Sequence, residues 1–394
     1  MSEPTVLHAP PTCEFIPLIE PEIRGNEWKY VQECLNTGWV SSAGAYVDRF
    51  EGLVAQQCGC QNAVATVNGT SALHVSLLVA GVQPDDEVLV STLTFIAPVN
   101  AIRYVGAWPV FVDAEPDYWQ MDPVWVDEFL EKGCRWSNGA LYNLHTGRRV
   151  TAIVAVHILG HPVDLDPILK TAKKFGLRVI EDATEGLGAT YRGRPLGSIG
   201  DIGCFSFNGN KLITTGGGGM IVTSNEGWAQ KAKYLTTQAK DDPIEYIHNE
   251  IGYNYRLTNI QAAIGCAQME QLDSYVTAKR EIAERYFMAL RDVSGIVPMP
   301  QAQWAASAFW MYTVLINEGE YGMDSRQLLQ ALAAQKIQCR PLWQPIHRSL
   351  AHAKSYAGEL PVSELLNRQA LSLPCSVGLT EDAQKRVIDK ICRT

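Results

Sequence analysis

The chain has 394 residues, 46% hydrophobic and 19% charged, enough to bury a large core and to form two domains or one large domain with an appendage. A formal net charge of -9 without any Lys/Arg cluster argues against a nucleic-acid partner, whose phosphates need cations. No run approaches the ~18 apolar residues of a membrane span, and "MSEPTVLHAPPTCEF" lacks the basic start and apolar stretch of a signal peptide. A cytoplasmic protein with no membrane partner is expected.

Ten cysteines are scattered along the chain, several inside apolar segments such as "IGCFSF" and "AAIGCAQM", the pattern of buried free thiols. Cys58 and Cys60 form a C-x-C pair, but no second pair or histidine pair completes a zinc site, and no metal is expected.

From residue 60 to 225 helical and strand-like segments alternate. The helical "TSALHVSLLVAGV" precedes the strand "EVLVS", the helical "IAPVNAIRYVG" and the strand "WPVFVD". After a variable segment come "AIVAVHILG", the helical "DLDPILKTAKKFG", and the strands "RVIEDA", "IGCFSF" and "GGMIVT". Near-continuous Val/Ile runs predict strands buried on both faces, hence a mostly parallel central sheet flanked by helices. Ligands in such sheets bind beyond the carboxyl ends of the strands. No G-x-G-x-x-G follows a first strand, so a dinucleotide fold is not indicated.

Beyond Thr258, "TNIQAAIGCAQMEQLDSYVTAKREIAERYFMAL" keeps helical spacing for many turns and predicts one long helix leaving the large domain. The strand "FWMYTVLI", the helix "DSRQLLQALAAQKI" and the terminal helix "TEDAQKRVIDKICR" predict a smaller C-terminal α+β domain. The expected division is an N-terminal segment 1–24, a large α/β domain 25–276 and a small domain 277–394.

Several strand ends carry residues with chemistry. Asp182 follows an apolar strand in "LRVIEDATEGLGATY", where a carboxylate either caps the next helix or pairs with a cation. Lys211, in "FSFNGNKLITTGGGGMIVT", lies between two buried-strand patterns rather than in a floppy linker. A parallel sheet brings both side chains to one edge. An amine and an acid there suit pyridoxal 5'-phosphate, with the lysine in a Schiff base and the acid on the pyridinium nitrogen. In "TVNGTSALHVSLL", Thr70 and Ser71 open a helix whose N-terminus offers N–H groups to a phosphate, although ordinary capping gives the same pattern. Ser206 offers a further hydroxyl. Phe95 in "STLTFIAPVN" is placed either to stack on a cofactor ring or to fill the core.

The segments "NGTSAL", "TFIAPVNAI", "GHPVDLDPI", the run from "IEDATEGLGATY" to "GGGGMIVT" and "GYNYRLTNIQAAIGCAQ" together resemble a known family. It is the DegT/DnrJ/EryC1/StrS nucleotide-sugar aminotransferases, which are pyridoxal-phosphate enzymes of fold type I. The resemblance runs from about Phe15 to at least Gln268. It implies Lys211 as the Schiff-base lysine, Asp182 as the pyridinium partner, and Thr70, Ser71 and Ser206 as phosphate ligands. Phe95 takes the ring-stacking position, and Asn254 of "GYNYR" reaches the phosphate from a second subunit, implying a homodimer with composite sites. Glu185 stands where many relatives have Gln or His near the phenolic oxygen, and a carboxylate there needs a shared proton. Asn208 falls where some relatives have His and is given no catalytic role.

The stretch "FIPLIEPEIRGNEWKYVQECLNTGWVSSAG" is similar to a narrower branch that aminates UDP-linked 4-keto-6-deoxy-N-acetylhexosamines with glutamate as donor. Trp39, Ser41, Arg256 and His347 are candidate substrate contacts by position and polarity. Sugar dehydratases of the same fold carry His in place of the lysine, so Lys211 favours transamination. A non-catalytic regulator is disfavoured by the intact Lys211 and Asp182.

Overall fold

The computed structural model describes residues 15–242 and 244–392. The reading of the first residues, Cys13 included, lies outside them. The predicted α/β layering is present: a central sheet runs in the order Asn62–Thr66, Gly219–Thr223, Ile202–Ser206, Arg178–Asp182, Arg149–Val156, Glu87–Ser91, Trp108–Val112 and Tyr356–Ala357. Every neighbouring pair along this order is parallel except the two made by Gly219–Thr223, which runs against the rest. The variable segment forms a hairpin, Cys134–Ser137 and Ala140–Asn143, which adds to the start of Arg149–Val156.

The sheet divides the core in two because successive side chains of a strand point to opposite faces. Val154 and Ile180 join one cluster; Ile153 and Val179 join the other. The first face is covered by helices Gly69–Val79, Ala97–Tyr104 and Glu226–Thr236. The second is covered by Ala45–Cys58, Pro123–Lys132, Leu165–Lys174 and Asn259–Met269. Each Val or Ile removed from water in this way contributes ~1.5–3 kcal/mol, so the central strands are the most strongly held part of the chain.

One glycine of the run after Lys211 serves a close approach of two backbones. A Cβ on Gly219 would fall 2.4 Å from the Asn68 carbonyl oxygen, so only glycine lets this strand begin against the turn that opens helix Gly69–Val79.

The long helix expected beyond Thr258 is two helices, Asn259–Met269 and Leu272–Leu290. The first starts with a Thr258/Gln261 capping box. It stops at Glu270, whose carboxylate takes bonds from Tyr30 Oη (2.6 Å), Asn26 Nδ2 (2.7 Å) and Arg49 (3.0 Å). These contacts fix the helix end on the N-terminal helices, and the second helix starts at Leu272. Past it, strands Ile296–Pro298, Tyr312–Ile316, Ala370–Leu373 and Arg340–Pro341 form an antiparallel sheet. Helices Ser325–Ala334 and Glu381–Cys392 pack beside it, and Tyr356–Ala357 returns to pair with Val110–Phe111 of the large sheet.

Candidate active site

In-register pairing aligns Cys204 with Asp182 and Asp182 with Val156, so the segments that follow these strands leave the sheet at one edge. A cavity of about 290 Å³ opens there, near the ~300 Å³ lower bound of small-molecule sites. Its walls include Thr70, Phe95, Asp182, Glu185, Ser206 and Lys211, residues that lie up to 141 positions apart in sequence (211 minus 70).

Asp182 ends its strand and is 3% exposed. Its Oδ1 accepts the Thr184 N–H at 3.2 Å. Burial pushes its carboxyl above the usual range, against the opposing pull of Thr184 and the Lys211 cation. Lys211 reaches the same cavity from the loop after Ile202–Ser206, with Nζ 3.4 Å from Glu185 Oε1. The other Glu185 oxygen accepts the Leu159 N–H at 2.8 Å, which pins the carboxylate beside the amine. Burial raises the Glu185 carboxyl as well, with Lys211 opposing.

At the far end, Asn68 caps helix Gly69–Val79 by accepting the Ser71 N–H at 2.8 Å, which leaves Thr70 on the cavity wall. Ser71 is 6% exposed and lies behind that wall, its N–H committed to the cap. A Cβ on Gly69 would stand 2.8 Å from Ser206 Cβ, so glycine lets the helix start sit directly beside the Ser206 hydroxyl. Phe95 lines the cavity yet is 54% exposed, an aromatic ring with a bare surface.

Five further predicted residues are not on the wall of this cavity in the single chain. Asn254 is exposed and bridges to Thr237. Trp39 and Ser41 are exposed, and their carbonyls accept the Asn259 side-chain amide (2.8 Å) and backbone N–H (2.6 Å). Arg256 is half-buried, with its Nε lacking a partner among the described residues. His347 is also off the wall, with Nδ1 2.8 Å from Thr92 Oγ1 and Nε2 3.2 Å from Glu364. Asn208, given no role from sequence, does line the cavity and bonds Asn210 at 3.1 Å.

Sequence reasoning missed Trp310 and Trp343, which also line the cavity. Both come from the C-terminal third, where nothing local marks them. An aromatic opening the strand-like "FWMYTVLI" was the only available hint.

The model of the DegT/DnrJ/EryC1/StrS aminotransferase family matches residues 21–392, and the chain belongs to that family. It is 40% identical to a GDP-perosamine synthase from Caulobacter vibrioides, across 95% of this chain and 96% of that one. It is 38% identical to a GDP-perosamine synthase from Escherichia coli O157:H7, across 94% and 95%. Its fold matches the crystal structure of the aminotransferase TlmJ from Streptoalloteichus hindustanus with a TM-score of 0.87 and 26% identity, covering 96% of this chain and 98% of that one. The chain is accordingly a pyridoxal-phosphate-dependent sugar aminotransferase. The cavity fits that group: a glycine-permitted helix start beside a serine hydroxyl, a bare aromatic wall, a buried carboxyl and a lysine amine all face one space.

Proposed function

We propose that this enzyme moves an amino group from glutamate to a keto sugar carried on a nucleotide, with Lys211 and Asp182 as the catalytic pair. The observation that carries the reading is the convergence of Lys211, Asp182 and Glu185 in one cavity beside a helix N-terminus built for a phosphate.

Bound pyridoxal phosphate supplies a carbonyl carbon that takes up the amino group and a ring that accepts electrons when the substrate C–H bond breaks. The Thr70 and Ser206 hydroxyls and the free N–H groups of the helix start bind its phosphate. Phe95, whose ring is bare in the cavity, would hold the cofactor ring, and Asp182 would hold the proton on its nitrogen. Glu185, raised by burial, is suited to share a proton with the phenolic oxygen, which answers the difficulty a bare carboxylate would face there. Lys211 Nζ takes and returns the proton of the nitrogen-bearing substrate carbon.

Two relatives named GDP-perosamine synthase support a GDP-linked 4-keto-6-deoxy sugar as acceptor. The second reading, a UDP-linked 4-keto-6-deoxy-N-acetylhexosamine, is supported by the N-terminal stretch "FIPLIEPEIRGNEWKYVQECLNTGWVSSAG". Incubating the loaded enzyme and glutamate with GDP-, UDP- and dTDP-4-keto sugars, and weighing the products, separates them. A gain of an amine on the GDP sugar alone supports the first; on the UDP sugar alone, the second. No aminated sugar with any acceptor overturns the function.

Asn254 is exposed and does not line its own cavity, so its proposed phosphate contact calls for a second copy of the chain. Mixing Lys211→Ala with Asn254→Ala chains then restores about a quarter of the sites, because half the dimers are mixed and each holds one intact site. Turnover at limiting cofactor no higher than that of the unmixed variants overturns the sharing.

A further inference from the structure

Trp310 has three separate attachments, and each bears on Lys211. Its ring centroid lies 4.2 Å from Lys211 Nζ, a distance at which an aromatic face attracts an ammonium. Its indole Nε1–H donates to the carbonyl of Asn210, the residue before Lys211, at 2.7 Å. Its own backbone carbonyl accepts from Lys279 Nζ at 2.7 Å.

Lys279 is an unusual anchor. It is 2% exposed, on helix Leu272–Leu290, and its ammonium donates to two backbone carbonyls, Trp310 and Cys375. No carboxylate pairs with it among the described residues. A buried cation without a counter-ion is costly, and burial holds its amine below the usual lysine range. A hydrophobic residue of similar volume fills such a site at less cost unless the position of those carbonyls matters.

The backbone around Trp310 is constrained in the same sense. Phe309 takes a φ of 45°, left-handed for a residue with a side chain. A Cβ on Gly160 would stand 2.8 Å from the Trp310 nitrogen, and Ser307 Oγ and the Ala308 N–H both bond the Gly160 carbonyl at 3.0 Å. A conformation costing ~1–3 kcal/mol persists only where its surroundings over-determine it.

We infer that Trp310 is a positioning residue for Lys211, holding the amine and its loop aimed across the cavity, and that Lys279 acts through the Trp310 carbonyl to keep the ring there. The inference rests on Lys211 being the lysine that carries the cofactor. Without the ring, a side chain of four rotatable carbons searches more conformations before it meets the cofactor carbonyl.

The test reads attachment rather than turnover. Apo protein is mixed with pyridoxal phosphate, reduced with borohydride at timed intervals, and analysed by intact mass and peptide mapping, with total binding measured by dialysis. Trp310→Leu is expected to bind the cofactor within ~2-fold of wild type but to attach it ~10-fold more slowly, the scale of the rotamer freedom regained by one long side chain. Trp310→Phe, which keeps a ring, recovers most of that loss. Lys279→Met slows attachment ~3- to 10-fold, and adding it to Trp310→Leu costs little more, as for residues acting in series. Should Lys279→Met not fold, Lys279→Arg takes its place in the cycle. Attachment by Trp310→Leu at the wild-type rate overturns the inference. Full additivity of the two substitutions overturns the part assigned to Lys279. Mapping of the label to a residue other than Lys211, or undiminished labelling of Lys211→Ala, instead overturns the underlying reading of Lys211.

Discussion

Glu181 and Asp182 are neighbours on one strand, both buried, and the chain treats them in opposite ways. Alternation along the strand sends Glu181 to the face shared with Val179, where the turn after Leu196 offers it backbone donors. Its carboxylate accepts N–H groups from Gly197 (2.8 Å), Ile199 (2.6 Å) and Gly200 (2.6 Å), and lies 3.1 Å from His157 Nε2. The Val163 N–H donates to His157 Nδ1 at 3.0 Å, so Nε2 bears the proton that faces Glu181. Burial alone would raise this carboxyl; the bonds from His157 and the backbone outweigh it and hold it low. Asp182, facing the cavity, accepts the Thr184 N–H at 3.2 Å and is raised. A charge with a full set of donors is structural, whereas one buried with few donors is costly until a ligand completes it.

If the under-satisfied side of this strand end is where the chemistry happens, the largest losses must come from it. Lys211→Ala should lower turnover by ~10⁴-fold or more, since neither covalent attachment nor proton transfer has a substitute, while circular dichroism stays that of wild type. Activity within tenfold of wild type would end its catalytic assignment. Asp182→Asn should keep the cofactor attached to Lys211 but slow the half-reaction with glutamate by ~10²- to 10⁴-fold, because a neutral amide cannot hold the ring proton. A half-reaction rate unchanged in stopped flow would show that the carboxyl matters only for packing.

The satisfied side should behave in the reverse manner. Glu181→Gln sets an amide against backbone N–H donors and is expected to cost ~3 kcal/mol of stability, the penalty for breaking a buried charged network. Activity per folded molecule should stay within ~3-fold of wild type, because Glu181 does not line the cavity. A drop in activity as deep as that of Asp182→Asn, in fully folded protein, would erase the distinction between the two acids.

Much of the strand-end side is legible in the sequence. Asp182 and Lys211 each follow an apolar run that had to be a buried strand, and a parallel sheet delivers such residues to one edge. The first strand, Asn62–Thr66, was not seen because the side chains of "NAVAT" are small and make no Val/Ile run. That Thr70 lines the cavity while Ser71 does not was equally closed to sequence, since both hydroxyls open the same helix. Trp310 and Lys279 were illegible because their meaning lies in contacts made across roughly 30 to 100 residues of chain. Glu181 left a usable signal: of two adjacent acids ending a buried strand, one must face each side, and "PLGSIGDIG" is a glycine-rich turn able to supply donors.

The smallest effect expected is also the one that reads the contrast by sign. A carboxyl raised in the folded state adds stability that is full below its unfolded value and lost as pH climbs through the folded one. Asp182 is of this kind, so above that point the ionised carboxylate weighs against the apo fold. A carboxyl held low in the folded state does the opposite: its stabilisation is present above the unfolded value and disappears as pH falls through the folded one. Glu181 is of that kind. Melting of the apo protein from pH 4 to 8 should therefore place Asp182→Asn a few degrees above wild type at pH 8, with the gap closing toward pH 4. Glu181→Gln should melt below wild type at pH 8, and its gap should narrow only at the acid end, as the wild-type network itself begins to take protons. Glu185 is raised by burial and also by the Asp182 charge; removing that charge eases Glu185 in Asp182→Asn, which adds to that variant's gap at pH 8 and leaves its sign intact. If both variants melt on the same side of wild type at pH 8, the two acids are not held in opposite states.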